Sequence, residues 1–240
     1  MLEQDIADTQ ERYRKRWLEF GYDPRTLGWN KDCQWVRFEA IFEGLRPSEF
    51  GSVLDVGCGF GDLLAYLRCR GWKGRYIGVD LVTELIEEAR RVHSADAASK
   101  FVCGDVAQFA SGELCELVVA IGIFNHRLVQ GNVDLIGETM EKMWAMSSRA
   151  MVCDFLSTSS DPQKRSSHLY YADPAEMLAL ARRHSRRVML HHAYMPFEFQ
   201  VKVWHDDHFI AAAPVFEPYA ELARKQSELR STRGPFKEGE

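Results

Sequence analysis

Three segments of this sequence bring together residue types that can hold a charged small ligand. The first is Val53-Leu54-Asp55-Val56-Gly57-Cys58-Gly59-Phe60-Gly61-Asp62-Leu63, an apolar run that passes through a glycine-rich turn into a helical pattern. Glycines at such a turn let the backbone approach a ligand closely and leave N–H groups exposed at a helix N-terminus. The spacing is Gly-x-Gly-x-Gly, whereas a dinucleotide turn wants Gly-x-Gly-x-x-Gly with a small residue where Asp62 stands, which argues against a nicotinamide cofactor. Asp55, two positions before Gly57, would repel a pyrophosphate but suits a cationic ligand, such as one bearing an ammonium and a sulfonium. The second segment is Gly78-Val79-Asp80-Leu81, which places Asp80 23 residues beyond Gly57, where a carboxylate can accept both hydroxyls of a ribose. The third, Cys103-Gly104-Asp105-Val106, sets another carboxylate at the same rim.

The elements that must carry these residues follow from periodicity. Leu2, Ile6, Tyr13, Trp17 and Phe20 recur at helical spacing between charged residues, and Gly21 and Pro24 end that stretch. A second helix is predicted over 32–45, closed by Pro47. Strands at 52–56, 76–79, 100–103, 116–121 and 150–153 then alternate with helices at 62–68, 84–92 and 133–146. That rhythm gives an α/β fold, a doubly wound sheet with parallel strands and helices on both faces. A helix over 174–184 leads to β-like runs at 187–194 and 197–204. Strands that close together can pair only antiparallel, so the expected sheet has seven strands, five parallel and then a hairpin. The tail over 221–240 reads as a frayed helix ending in disorder. The expected organisation is a single domain over 1–240, with a helical extension over 1–46, a ligand-binding core over 47–205 and a C-terminal extension over 206–240.

On these motifs the chain resembles the class I S-adenosylmethionine-dependent methyltransferases, over about residues 30–205 and most specifically between Val53 and His126. The resemblance implies a Rossmann-like fold, S-adenosylmethionine as methyl donor and S-adenosylhomocysteine as product. It implies that Gly57, Cys58, Gly59 and Gly61 wrap the methionine moiety with Asp55 beside its ammonium. Asp80, with Leu81 next to it, matches the ribose ligand, and Asp105 with the Val106 backbone matches the adenine site. Ile121-Gly122-Ile123-Phe124-Asn125 matches the motif that flanks the transferable methyl. The start of the chain, with Gly28-Trp29 followed by Gln34-Trp35-Val36-Arg37-Phe38, and the Leu169-Tyr170-Tyr171-Ala172-Asp173-Pro174 loop resemble a set of bacterial methyltransferases. From these groups Gln34 and Arg37 are expected to cover the methionine end, with Arg37 able to form a bidentate pair with its carboxylate.

Methyl transfer from a sulfonium is an in-line displacement, so positioning in a dry site supplies most of the acceleration. An alcohol or phenol acceptor needs a base, whereas a free amine, carboxylate or phosphate-type oxygen does not. His126, in the loop after the fourth strand, is the candidate base. Asn125 is the candidate positioning group, because an amide both donates and accepts. His168, Tyr170 and Tyr171 can line an acceptor pocket, and Tyr171 joins the catalytic candidates. An aromatic-packed loop with Asp173 merely capping the next helix weighs equally. His191 and His192 alternate along a strand, so at most one faces the site.

Composition bounds the partners. The 240 residues are 46% hydrophobic and 27% charged with a net charge of -5, so no global field draws a nucleic acid. The basic runs Arg12-Tyr13-Arg14-Lys15-Arg16 and Arg182-Arg183-His184-Ser185-Arg186-Arg187 read as solvated faces. The longest apolar runs, such as Leu117-Val118-Val119-Ala120-Ile121, are far short of a membrane span. No apolar leader follows Met1, and the six cysteines lack metal or disulfide spacing, so a cytoplasmic location without a metal is expected. Met140, Met143 and Met146 recur at helical spacing as core filler. The expected activity is methylation of oxygen or nitrogen on a small biosynthetic intermediate or glycan precursor. An RNA or protein acceptor and a non-catalytic cofactor-binding subunit are the alternatives, and the N-terminal helices are open to roles as a lid or a homodimer interface.

Overall fold

A computed structural model of the chain describes residues 2–29, 33–106, 109, 114–129, 131–208 and 215–232. Helices α1 (Glu3–Phe20) and α2 (Gln34–Phe42) precede an alternating series. It runs β1 (Ser52–Val56), α3 (Asp62–Cys69), β2 (Arg75–Asp80), α4 (Thr83–Val92), β3 (Ser99–Cys103), β4 (Cys115–Ala120), α5 (Asn132–Met146), β5 (Ser147–Leu156), α6 (Pro174–Ala181), β6 (Val188–Met195) and β7 (Glu198–Trp204), and α7 (Ala220–Thr232) closes it.

The seven strands form one sheet in the order β3-β2-β1-β4-β5-β7-β6. Strands β1 to β5 pair in parallel, and β7 pairs antiparallel with both β5 and β6. The five-plus-two arrangement expected from the sequence is therefore present. β1 is buried along its whole length, as a strand covered by helices on both faces must be. Chain order reverses at β1, which is flanked by β2 on one side and β4 on the other, and the crossovers diverge there to open a crevice at the carboxyl ends.

Two apolar layers hold the sheet. Phe38 and Ile41 of α2 pack with Leu63, Leu64 and Leu67 of α3 on one face, and Ile136, Met140 and Met143 of α5 pack with Met177 and Leu180 of α6 on the other. Met140 and Met143 are fully buried, as their spacing implied.

Several boundaries differ from the periodicity. α2 stops at Phe42 because Gly44 turns the chain at φ +80° and the buried Lys202 ammonium from β7 takes the Ala40 and Glu43 carbonyls. β5 is ten residues long, since β7 pairs with it from Ala150 to Leu156, a partner invisible to local pattern. The expected disorder at 233–240 and Asp32, the first residue of the predicted second helix, lie outside the described residues. No helix among those described is long and apolar enough to cross a membrane.

Candidate functional site

The crevice at the switch point is lined by four of the strand ends that the sequence singled out. β1 contributes Asp55, Gly57, Cys58 and Gly59, β2 contributes Asp80 and Leu81, β3 contributes Asp105 and Val106, and β4 contributes Ile121. Gln34 of α2 and His126 also reach it.

The glycine turn is built by backbone geometry that only glycine adopts readily. Gly57 and Gly59 sit at φ +75° and +54°. A Cβ on Gly57 would lie 2.1 Å from the Ile123 side chain across the crevice. The Gly57 and Cys58 amides both donate to the Val79 carbonyl, at 2.7 and 3.1 Å, and tie the turn to β2. Asp80 completes the tie, because its carboxylate accepts from the Gly59 amide at 2.9 Å and from the Val82 amide at 3.0 Å. One carboxylate thus fixes the turn while lining the crevice beside it.

Electrostatics favour a cation. Asp55, Asp62, Asp80, Asp105 and Glu138 line the crevice against Lys142. Asp55 is buried and its Oδ2 accepts the Tyr76 hydroxyl at 2.5 Å. Burial, reinforced by the charges of Asp80 and Asp62, pushes its carboxyl up to about 7, and burial raises Asp62 and Asp80 as well. Carboxylates raised above their ordinary range by burial are destabilised as anions, and an incoming cation relieves them.

Other sequence candidates stand elsewhere. Gly61 does not line the crevice; its Cα faces Phe101 and His93, where a Cβ would come within 2.9 Å. Arg37 does not line it either. Its guanidinium is buried and takes both carboxylate oxygens of Glu198, at 2.6 and 2.5 Å, while the Trp29 ring covers it at 4.3 Å. The pairing expected for a ligand carboxylate is therefore satisfied inside the protein. Gln34 donates to Asp62 at 2.9 Å and joins the N-termini of α2 and α3 at the crevice wall.

The acceptor-side candidates also separate. His126 lines the crevice, but Asn125 and Tyr171 do not. The segments 125–127 and 168–170 zip together through Tyr170 N to Asn125 O and Arg127 N to His168 O, at 3.0 and 3.1 Å. This brings the His168 ring within 6.4 Å of the His126 ring. The Tyr171 hydroxyl instead accepts the Ser166 amide of its own loop, at 3.1 Å. Asp173 caps α6 through the Ala175 and Glu176 amides, the bland reading of that residue. His191 is buried against Glu43 at 3.0 Å, and neither it nor His192 reaches the crevice.

Further groups reach the site without having been assigned to it, although Trp29 stands in the Gly28-Trp29 segment noted above. Thr9 and Tyr13 of α1, with Leu27 and Trp29 of the connector, line the crevice. Asp154 of β5 is buried and accepts the Gly122 amide at 2.5 Å, which fixes the loop after β4. Its one sequence signal is a carboxylate inside an otherwise apolar strand.

Known proteins share this architecture. The model of a methyltransferase domain matches residues 53–143. Rv1506c of Mycobacterium tuberculosis (strain H37Rv), named for methyltransferase activity, is 35% identical over 156 residues, covering 63% of this chain and 92% of that protein. Among solved structures, magnesium protoporphyrin IX methyltransferase from Synechocystis PCC 6803 with bound S-adenosylhomocysteine superposes with a TM-score of 0.61 at 13% identity, covering 83% of this chain and 99% of that one. Human N-acetylserotonin methyltransferase in complex with S-adenosylmethionine gives 0.62 at 11% identity, covering 85% of this chain and 59% of that one. The chain belongs to the class I S-adenosylmethionine-dependent methyltransferases. It is an enzyme of that class, and S-adenosylmethionine is its cofactor.

Proposed function

We propose that the protein transfers a methyl group to oxygen or nitrogen of a small molecule, within one catalytic domain that α1 and α2 complete. The observation that carries this reading is the wall of the crevice away from the sheet. Thr9, Tyr13, Leu27 and Trp29 line it together with the strand ends, Leu27 against Gly59 and Trp29 against Gly122, and a pocket walled in this way by the N-terminal segment suits a small acceptor. A polymer acceptor would need an exposed basic track, and several cations of the two basic runs are already paired. Arg14 and Lys15 face Glu84 and Glu11, and Arg186 and Arg187 face Asp207 and Asp206.

In this reading Asp55 lies beside the ligand's ammonium, the backbone of Gly57, Cys58 and Gly59 follows its methionine chain, Asp80 takes the ribose and Asp105 with Val106 meets the adenine. The cofactor, when bound, supplies an electrophilic methyl on sulfur. Tyr13 and Trp29 exclude water from that end of the crevice, and Ile121 and Gly122 fix the loop that faces it. His126, which lines the crevice, receives the proton of a hydroxyl acceptor in this reading.

Cofactor affinity is expected to depend on pH through Asp55. Above about pH 7 its carboxylate is ionised in the free protein and affinity sits at its plateau. Below that pH the site is protonated, binding of a cation must expel the proton, and affinity falls by up to about tenfold per pH unit. Calorimetric titration of S-adenosylhomocysteine between pH 5.5 and 8.5 measures this, and Asp55→Asn should give a flat profile with weak binding. A flat profile in the unmodified protein would remove Asp55 from the ammonium site.

The acceptor class is tested by incubating the protein with methyl-labelled S-adenosylmethionine and an extract separated into small-molecule, RNA and protein fractions. Label in the small-molecule fraction is the expected result. Label in RNA or protein would overturn the reading.

A further inference from the structure

The inner face of α1 carries charges that its sequence gave no reason to separate from the outer ones. Positions 5, 9, 12, 13 and 16 share one side of a helix. On that side Asp5 accepts the Val129 amide at 3.1 Å, and Thr9 and Tyr13 line the crevice. The Arg16 guanidinium lies 5.6 Å from the centre of the Tyr13 ring, that ring is 6.2 Å from His126, and His126 is 6.4 Å from His168. Tyr13 and His126 line the crevice, and Arg12, Arg16 and His168 stand behind them without lining it, close enough for their charges to act on His126.

No carboxylate forms an ion pair with Arg12 or Arg16 among the described residues, whereas Arg14 and Lys15 on the outer side do have acidic partners. Asp5 stands seven residues before Arg12, about 10 Å along the helix axis. Arg12 Nη1 and His126 Nδ1 are both buried without a hydrogen-bond partner. A buried donor left without an acceptor costs about 1–3 kcal/mol, more when charged, so a site with such groups beside a ligand crevice is built to receive something.

We propose that Arg12 and Arg16, with His126 and His168 facing them, hold the negative group of the acceptor, which is therefore a carboxylate- or phosphate-bearing small molecule. This rests on the small-molecule methyl-transfer reading above. It adds a consequence for the base. Burial, and next the charges of Arg12, Arg16 and His168, push the His126 imidazole down to about 4. An anion between these cations offsets them and lifts His126 towards its ordinary range. If the attacking atom is a hydroxyl oxygen, its lone pair forms the bond to the methyl carbon, the carbon–sulfur pair leaves with sulfur, and the hydroxyl proton passes to His126. If the attacking atom belongs to the carboxylate, no proton moves. In the first case the acidic acceptor switches on the base that serves it.

The test uses the full chain saturated with S-adenosylhomocysteine, so that the cofactor's own carboxylate is already accommodated. Inorganic phosphate and acetate are titrated separately while the His126 ring signal, identified by its loss in His126→Asn, is followed by NMR. A saturable shift, with an upward move of the His126 titration midpoint, is expected for at least one anion, and which anion acts separates phosphate from carboxylate. In the double variant Arg12→Gln/Arg16→Gln, anion binding should weaken at least about tenfold with S-adenosylhomocysteine affinity unchanged. Absence of a saturable response to both anions would overturn the proposal. A tenfold loss of S-adenosylhomocysteine affinity in the double variant would also overturn it, by assigning the arginines to the cofactor's carboxylate. Label appearing in RNA or protein in the extract experiment would remove the underlying reading instead, so the two failures are distinguishable.

Discussion

Replacement of Arg37 by alanine is expected to lower the unfolding midpoint by roughly 6–20 °C while the folded protein keeps its affinity for S-adenosylhomocysteine. Arg37 and Glu198 are buried together, with side chains 8% and 3% exposed. Removing one partner leaves the other as an unpaired interior charge, which costs about 3–5 kcal/mol. The same cluster holds Asp154, pushed up to about 7 chiefly by burial and next by the Glu198 charge, so loss of the guanidinium, which lowers it, makes Asp154 harder still to ionise. The Trp29 ring also loses its seat on the guanidinium. Thermal unfolding and calorimetric titration read the two quantities separately. The double variant Arg37→Met/Glu198→Leu removes both charges and should recover most of the midpoint, because a well-packed apolar pair replaces the ion pair at little cost. A large loss of affinity in Arg37→Ala with an unchanged midpoint would return Arg37 to the cofactor's carboxylate.

Replacement of Asp80 by alanine is expected to weaken S-adenosylmethionine by on the order of 100-fold or more. Hydrogen bonds to a charged group are worth about 1.5–3 kcal/mol each, and the proposed ribose contact has two of them. A second loss comes from the turn, since Asp80 accepts the Gly59 and Val82 amides. The two effects separate with a cofactor analogue lacking the ribose hydroxyls. The alanine variant should bind that analogue only as much more weakly as the loosened turn requires, so the difference between ligands isolates the ribose contact. Equal losses for both ligands would confine Asp80 to holding the turn, and no loss for either would remove it from the site.

Much of the cofactor side was legible in the sequence because it is local. A buried parallel strand that ends in a ligand turn must place a defined residue at its carboxyl end, and Asp55, Asp80 and Asp105 follow from three such ends at the spacing of β-α-β units. Gly57 and Gly59 were legible for a similar reason, since their left-handed backbone excludes most other residues. Gly61 satisfied the same pattern, but it serves the packing of Phe101 and His93. The motif constrains the backbone, and it is silent on which neighbour each glycine admits.

The acceptor side was less legible because it depends on contacts between distant segments. The Arg37 fork is filled by Glu198, 161 residues away, and the Tyr171 hydroxyl by its own loop, so residue types that suited a ligand were satisfied by the fold. The basic run at 12–16 read as one solvated face, yet the docking of α1 against Leu81 and Val129 turns Arg12, Tyr13 and Arg16 inward and leaves Arg14 and Lys15 outside. By itself the sequence determined the sheet, the glycine turn and the carboxylates that line the crevice, since each is set within one strand–turn–helix unit. Tertiary structure alone decided which charges are paired and which face the crevice, because burial and the phase of a helix are properties of what it packs against.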